Sequence, residues 1–224
     1  MKNINNSYDL FFKNEGLDFN KTEKIVNEAL RKADDGELFL EFRQSENFIF
    51  DDKKIKNASS SIDKGFGLRS IKDETSAYSH SSDITEKSIE TAGRTVKSIL
   101  STSSKSKIVD PIRSNKKHYS EINPLDEFTP EQKTKLLKSI DAYARKLDKR
   151  VKQVSASLNG EWQAIHILRK GGYHSGDIRP LVRLNISVTV DNGKRMETGS
   201  SGIGGRKSYI EFFNSQIWQM QTKE

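Results

Sequence analysis

The sequence predicts an α+β fold, with mixed or antiparallel sheets and helices packed on them. Three observations predict it. Stretches alternating apolar and polar residues, the period-2 signature of half-buried strands, recur in both halves of the chain. Amphipathic helical stretches with N-cap signals stand between them. Their order is helix, strands, helix, linker, helix, strands, without internal repeat, which is not the regular strand–helix alternation of a parallel α/β sheet.

The first helix is expected from about Thr22 to Lys32. Asn20 and Glu23 have the spacing of a capping box, and Ile25, Ala29, Leu30 and Ala33 share one face. In the strand block that follows, Leu38, Leu40 and Phe42 alternate with Phe39, Glu41 and Arg43. Residues 47–50 read as a second short strand, and residues 54–62 and 65–71 as two more. Residues 72–75 suit a hairpin turn into a strand over 76–80. Gly65 and Gly67 lie on one strand face, where a missing side chain marks a bulge or a close backbone approach. Asp83 and Glu86 form the next capping pair, ahead of a helix with Ile89, Ala92, Val96 and Ile99 on one stripe.

Residues 101–117 lose this patterning and gain Ser, Thr, Lys and Arg, as in a linker or mobile loop. The third helix starts clearly: Thr129 caps, Pro130 sits at N1 and Gln132 at N3. Leu136, Leu137, Ile140, Tyr143, Ala144 and Leu147 make its apolar face. An antiparallel meander is expected next. In it, residues 151–158 turn through Asn159-Gly160 into 162–169, and the strand around Leu184, Ile186, Val188 and Val190 turns back at Asp191-Asn-Gly193. The domain organisation read from this is an α+β segment over residues 1–100, a linker over 101–128, a helix plus meander over 129–213 and a tail over 214–224.

Composition narrows the function classes. Hydrophobic residues make up 33% and charged residues 31%, which is polar for this length, but eleven Phe, six Tyr and two Trp exclude wholesale disorder. The chain has no Cys, so no disulfide framework or thiolate metal site can form. The first residues lack the apolar core of a signal peptide, and no run approaches the ~20 apolar residues of a membrane span. A cytosolic location is expected. The net charge of +7 arises from scattered Lys and Arg among acids, with no basic stripe interleaved with aromatics, so nucleic-acid binding is disfavoured.

Motifs of known chemistry are sparse. Residues 199–206 read as a Gly-rich loop, but Lys207 stands where GxGxxG would need its third Gly, and no GK[ST] ending follows. His80, His118, His166 and His174 lack ligand spacing. His166 falls on a strand face with Trp162, Ala164 and Leu168, as a sheet residue would. No G-x-S-x-G elbow is present. Asp177 and Arg179, beside Pro180, are the best polar constellation, readable equally as an ion pair fixing a turn.

Taken together, Phe39–Phe42, Gly65–Ser70, the helix after Asp83, Asp177-Ile-Arg179-Pro-Leu-Val-Arg183 and Gly199-Ser-Ser-Gly202-Ile-Gly204-Gly205-Arg206 resemble the N-terminal half of the TldD/PmbA ("modulator of DNA gyrase") family of metalloproteases. The resemblance implies a subunit whose other, C-terminal half carries zinc on an HExxxH helix, which pairs with a PmbA/TldE-like partner, and which cuts unfolded or extended peptides within a channel. It places Asp177, Arg179, Arg183, Gly199, Gly202, Gly204, Gly205 and Arg206 at structural, channel or interface positions. HExxxH does not occur in these residues, so the resemblance carries no catalytic and no metal residue onto this chain. The expectation is a chain truncated before that motif, inactive alone, with zinc only in a complementary half. On this view Ile217, Trp218 and the one-sided strand around Leu184 are left as uncovered apolar surface. The alternative expectation is a non-catalytic module that binds extended peptides or a PmbA/TldE-like subunit.

Overall fold

A computed structural model describes residues 7–99 and 118–224. Among these residues it shows the expected α+β architecture: five α-helices and one six-stranded antiparallel sheet in the order β3-β2-β1-β4-β5-β6. The strands are longer than the sequence suggests. β1 (Asp35–Asp51) joins the two segments expected around 38–43 and 47–50, and β2 (Lys54–Lys72) joins two more. Positive φ angles at Asp52 and Lys53 make the turn between them. The hairpin from β2 into β3 (Thr75–Ser81) falls where expected, with Asp73 at φ 52°.

β4 (Val151–Arg169) overturns one expectation, because it runs unbroken through Asn159-Gly160. The glycine there serves packing rather than turning: an added Cβ would stand 2.6 Å from Leu125 and collide with the Tyr209 hydroxyl. The turn between β5 (His174–Asp191) and β6 (Met196–Gly205) is the expected one at Asp191-Asn-Gly193. Gly193 takes φ 83°, and Asn192 Oδ1 accepts from the backbone of Lys194 and Arg195. The predicted Gly-rich loop is thus most of strand β6.

The chain forms two compact units, each assembled from separate segments. One comprises Met1–Arg43, Asp63–Lys117 and Gln163–Ile178. Its residues 1–6 and 100–117, including most of the expected linker, lie outside the described residues. A short helix α1 (Ser7–Asp9) leads into a π-helical turn (Leu10–Asn14) and then α2 (Phe19–Ala29). Asp18 caps α2, accepting from Lys21 N at 2.7 Å, in place of the expected Asn20. Glu86, assigned from sequence to the cap of its own helix, instead accepts from Asp18 N at 3.1 Å. Thr85 caps α3 (Glu86–Ile99), its Oγ1 accepting from Ser88 N. α3 crosses α2 closely because Gly93 removes a Cβ that would meet Ala29 at 2.9 Å. Val26, Leu30, Leu38, Leu40, Leu68, Ile89 and Val96 are buried there.

The other unit comprises Gln44–Ile62, His118–Trp162 and Arg179–Glu224. α4 (Pro130–Leu147) has the full capping box predicted, with Thr129 and Gln132 each accepting from the other's backbone. Leu136, Leu137 and Ile140 of α4 pack with Phe48, Phe50, Ala156, Leu158, Val182, Leu184 and Ile186. A 3-10 turn (Tyr209–Phe213) and α5 (Ser215–Lys223) complete the core. This corrects the expectation of exposed apolar surface at Leu184 and Trp218: Leu184 is buried, and Trp218 is 7% exposed, its ring edge-on to Tyr143 at 5.4 Å, while Ile217 is half-buried. A buried lysine crosses this core. Lys133 Nζ lies 2.7 Å from Glu46 Oε1 and 2.7 Å from the Leu125 carbonyl, and 5.2 Å from the centre of the Tyr209 ring. Burial, reinforced by the Glu46 carboxylate, pushes the Tyr209 hydroxyl far above its ordinary pKa.

Candidate functional site

β5 and β6 have two unlike faces, set by simple alternation. Val182, Leu184, Ile186 and Val188 point into the helix-covered core and lie opposite Gly205, Ile203, Ser201 and Gly199. On the core side Ser201 Oγ also reaches α5, at 2.7 Å from Gln221 Oε1 and 2.9 Å from Glu224 Oε2. Arg183, Asn185, Ser187 and Thr189 turn the other way, opposite Gly204, Gly202, Ser200 and Thr198. With Ser155 and Ser157 of β4, this second face makes a shelf rich in hydroxyls and amides, hollowed into a groove of about 400 Å³.

The shelf is held by its own hydrogen bonds. Arg183 Nε donates to Asn185 Oδ1 at 2.6 Å, and Asn185 Nδ2 donates to Ser157 Oγ at 3.3 Å. Thr189 and Thr198 hydroxyls meet across the strands at 2.9 Å. Gly202 leaves the room that this arrangement needs: an added Cβ would stand 2.7 Å from Asn185 Oδ1 and 3.1 Å from Arg183 Nη2. Gly204 lies against backbone, its added Cβ 2.6 Å from the Val182 carbonyl. Among the described residues, Arg183 is the one charged side chain lining this groove. β6 is the outermost strand of the sheet on this side.

Of the residues singled out from sequence, Arg183, Gly202 and Gly204 come together on the shelf, while Gly199 and Gly205 belong to the opposite face. Arg206 follows β6, its guanidinium 5.2 Å from the centre of the Tyr119 ring. Asp177 and Arg179 are half-buried within β5, so the expected turn beside Pro180 is an extended strand, and the two belong to different compact units. Sequence reasoning missed Ser155, Ser157, Asn185, Ser187 and Ser200. Their signal was the polar half of the alternation around Leu184, which is indistinguishable in sequence from an ordinary wet strand face.

The histidines are the other candidate for chemistry. In the first unit His166 is 2% exposed and its Nδ1 lies 3.1 Å from Ser7 Oγ. Its ring stacks with His174 at 5.3 Å and is edged by Phe12 at 5.2 Å. Burial, with a smaller effect from His174, pushes the His166 imidazole down to about 4. A neutral, weakly basic ring beside a buried serine, with no carboxylate bonded to it among the described residues, makes a poor general base. Zinc does not fit here either. Two imidazoles walled by Tyr8, Phe12 and Phe19 offer no third ligand, and no group of three His, Asp or Glu converges among the described residues.

Two family models match the sequence. The one described as PmbA/TldA metallopeptidase domain 1 covers residues 36–101, and the PmbA/TldA metallopeptidase central domain covers residues 123–220. The chain belongs to the PmbA/TldD family. Among TldD relatives, the metalloprotease TldD homologue of Haemophilus influenzae is 36% identical over 190 residues, which is 82% of this chain and 39% of that protein. The homologue of Buchnera aphidicola from Schizaphis graminum is also 36% identical, over 184 residues, 82% of this chain and 38% of its own length. The chain thus spans under two fifths of these TldD relatives. The solved structure of TldE from Thermococcus kodakarensis superposes with a TM-score of 0.72 at 15% identity, covering 91% of this chain and 46% of TldE, a likeness of fold.

Proposed function

We propose that this chain is the non-catalytic N-terminal part of a TldD-type metallopeptidase and holds extended peptides along strand β6. The observation that carries the reading is the outermost position of β6, next to the polar shelf on one face. An edge strand presents alternate N–H and C=O groups to any chain that can lie beside it, and reads backbone more than side chains. The shelf offers hydroxyls and amides to the flanks of such a peptide without a pair of acid and base groups able to cleave it. Family membership supports the assignment to a peptidase, and the absence of HExxxH from these 224 residues supports placing its zinc chemistry outside them, in a complementary half. That half, when metal-loaded, supplies the activated water of hydrolysis.

The test is fluorescence anisotropy of labelled unfolded peptides with the 224-residue chain, alongside its metal content. Saturable binding of unrelated extended peptides, no cleavage and no stoichiometric zinc are expected. One tightly held zinc per molecule, or no peptide binding, would sink the proposal. Mixing with an HExxxH-bearing TldD-type half, in the presence of a PmbA/TldE-like subunit, is expected to convert binding into cleavage.

A further inference from the structure

We propose that Arg183 reads a carboxylate on the bound peptide, making acidic segments or free C-termini the preferred occupants of the shelf. The inference rests on the peptide-holding reading and adds a specificity to it. Four features of the site point to it.

Arg183 is exposed on the shelf and makes no ion pair among the described residues; its one side-chain hydrogen bond among them is from Nε to Asn185 Oδ1. That bond fixes the guanidinium plane while leaving its Nη1/Nη2 end free, the end that takes a carboxylate with two parallel hydrogen bonds. The fork lies over Gly202, where any larger residue would push into Nη2, so the strand opposite is cut away to hold it. The remaining described lining is neutral: Ser155, Ser157, Ser187 and Ser200 supply hydroxyls and Asn185 an amide, and no described Asp or Glu competes within the groove. In the adjoining hollow that Arg183 also lines, Glu46 is taken up by Lys133 at 2.7 Å, and Glu161 is not within ion-pair distance of Arg183. A single positive fork on an uncharged shelf beside a sheet edge therefore suits one negative group on an extended chain.

The experiment uses the full chain and pairs of unstructured peptides differing at one group. In one pair a mid-chain Glu is replaced by Gln; in the other the free C-terminal carboxylate is replaced by the amide. Anisotropy titrations are expected to show at least one acidic peptide binding on the order of fivefold tighter than its neutral twin, as for a partly exposed bidentate pair. Which pair shows it distinguishes a side-chain carboxylate from a C-terminus. Arg183→Gln is expected to erase the difference, so that acidic and neutral peptides bind alike, and Arg183→Lys to keep only part of it. Asn185→Ala, which keeps the charge but frees the fork, is expected to reduce it. An acid preference that survives in Arg183→Gln would trace to the net charge of +7 and overturn the proposal. So would equal binding of acidic and neutral peptides. Failure of every peptide to bind would instead remove the peptide-holding reading, and this inference with it.

Discussion

Around His166 the hydrogen-bonding groups lie beneath rings, whereas around Arg183 they are spread on an open strand face. Both arrangements use a glycine to make room for a polar side chain. An added Cβ at Gly176 would stand 2.9 Å from His166 Nδ1, and one at Gly202 would stand 2.7 Å from Asn185 Oδ1. At His166 the space is filled by the chain itself, since Ser7 Oγ sits against the imidazole at 3.1 Å. Beside Arg183 only Asn185 is hydrogen-bonded to the guanidinium, and no other described residue fills the groove. A polar group that the fold has already satisfied contributes to stability, and one it has oriented but left open is available to a ligand. Mutations in closed clusters should therefore register in unfolding, and mutations on the shelf in binding.

The largest effect is expected where a charge is sealed in. Lys133 is 1% exposed and compensates Glu46 in the core, so Lys133→Met leaves a buried carboxylate unpaired. A loss of about 3–5 kcal/mol is expected in urea unfolding, largely recovered in the double variant Lys133→Met with Glu46→Leu. A double variant no more stable than the single would show that the pair is not what holds this region.

Next comes acid sensitivity at His166. Its folded-state pKa is about 4 against an ordinary 6.5, so between these values the unfolded chain takes up a proton that the folded chain refuses. Stability is therefore complete above about pH 6.5 and falls as the pH is lowered toward 4, by a total of about 3 kcal/mol from this group. Comparing unfolding at pH 7 and pH 4.5 for the natural chain and His166→Phe isolates the contribution. An undiminished acid loss in His166→Phe would assign it elsewhere.

Much of this contrast was legible in the sequence, and the parts that were not share a cause. Thr129-Pro-Glu-Gln132 was read correctly because a capping box is local, each member satisfying a donor three residues away. The turns at Asp73 and Gly193 were read for the same reason. Asn159-Gly160 misled because the decisive neighbour, Tyr209, is about fifty residues distant and takes the space where a side chain would stand. Asn20 lost the cap of α2 to Asp18, which Glu86 supports from another helix. The Gly-rich segment looked like a loop because its glycines suggested freedom, whereas Gly202 and Gly204 are there to let neighbouring strand groups approach. Family likeness located Arg183 in the sequence, but its exposure and its bond to Asn185 belong to the fold.

Gly176→Ala tests the closed side of the comparison more gently. The new methyl would strike Ser7 Oγ and crowd His166, so the N-terminal segment must shift or the strand must yield. Overpacking of this kind is expected to cost about 1–3 kcal/mol in urea unfolding. Ser7→Gly combined with Gly176→Ala should recover part of it, because the obstructing hydroxyl is gone. No recovery would mean that the strand, rather than Ser7, sets the limit.

The smallest stability effect is expected from the corresponding change on the shelf, Gly202→Ala. The methyl meets Asn185 Oδ1 and the end of the Arg183 side chain, both of which can swing into open solvent. Unfolding should therefore change by no more than about 0.5 kcal/mol, as for an ordinary exposed substitution. The orientation of the guanidinium should not survive, however, and discrimination between acidic and neutral peptides is expected to fall toward that of Arg183→Gln. If Gly202→Ala destabilises as much as Gly176→Ala, the shelf is as closed as the histidine cluster and its glycine serves packing. Unchanged stability with lost discrimination would mark the same device, a glycine facing a polar side chain, as structural in one place and ligand-directed in the other.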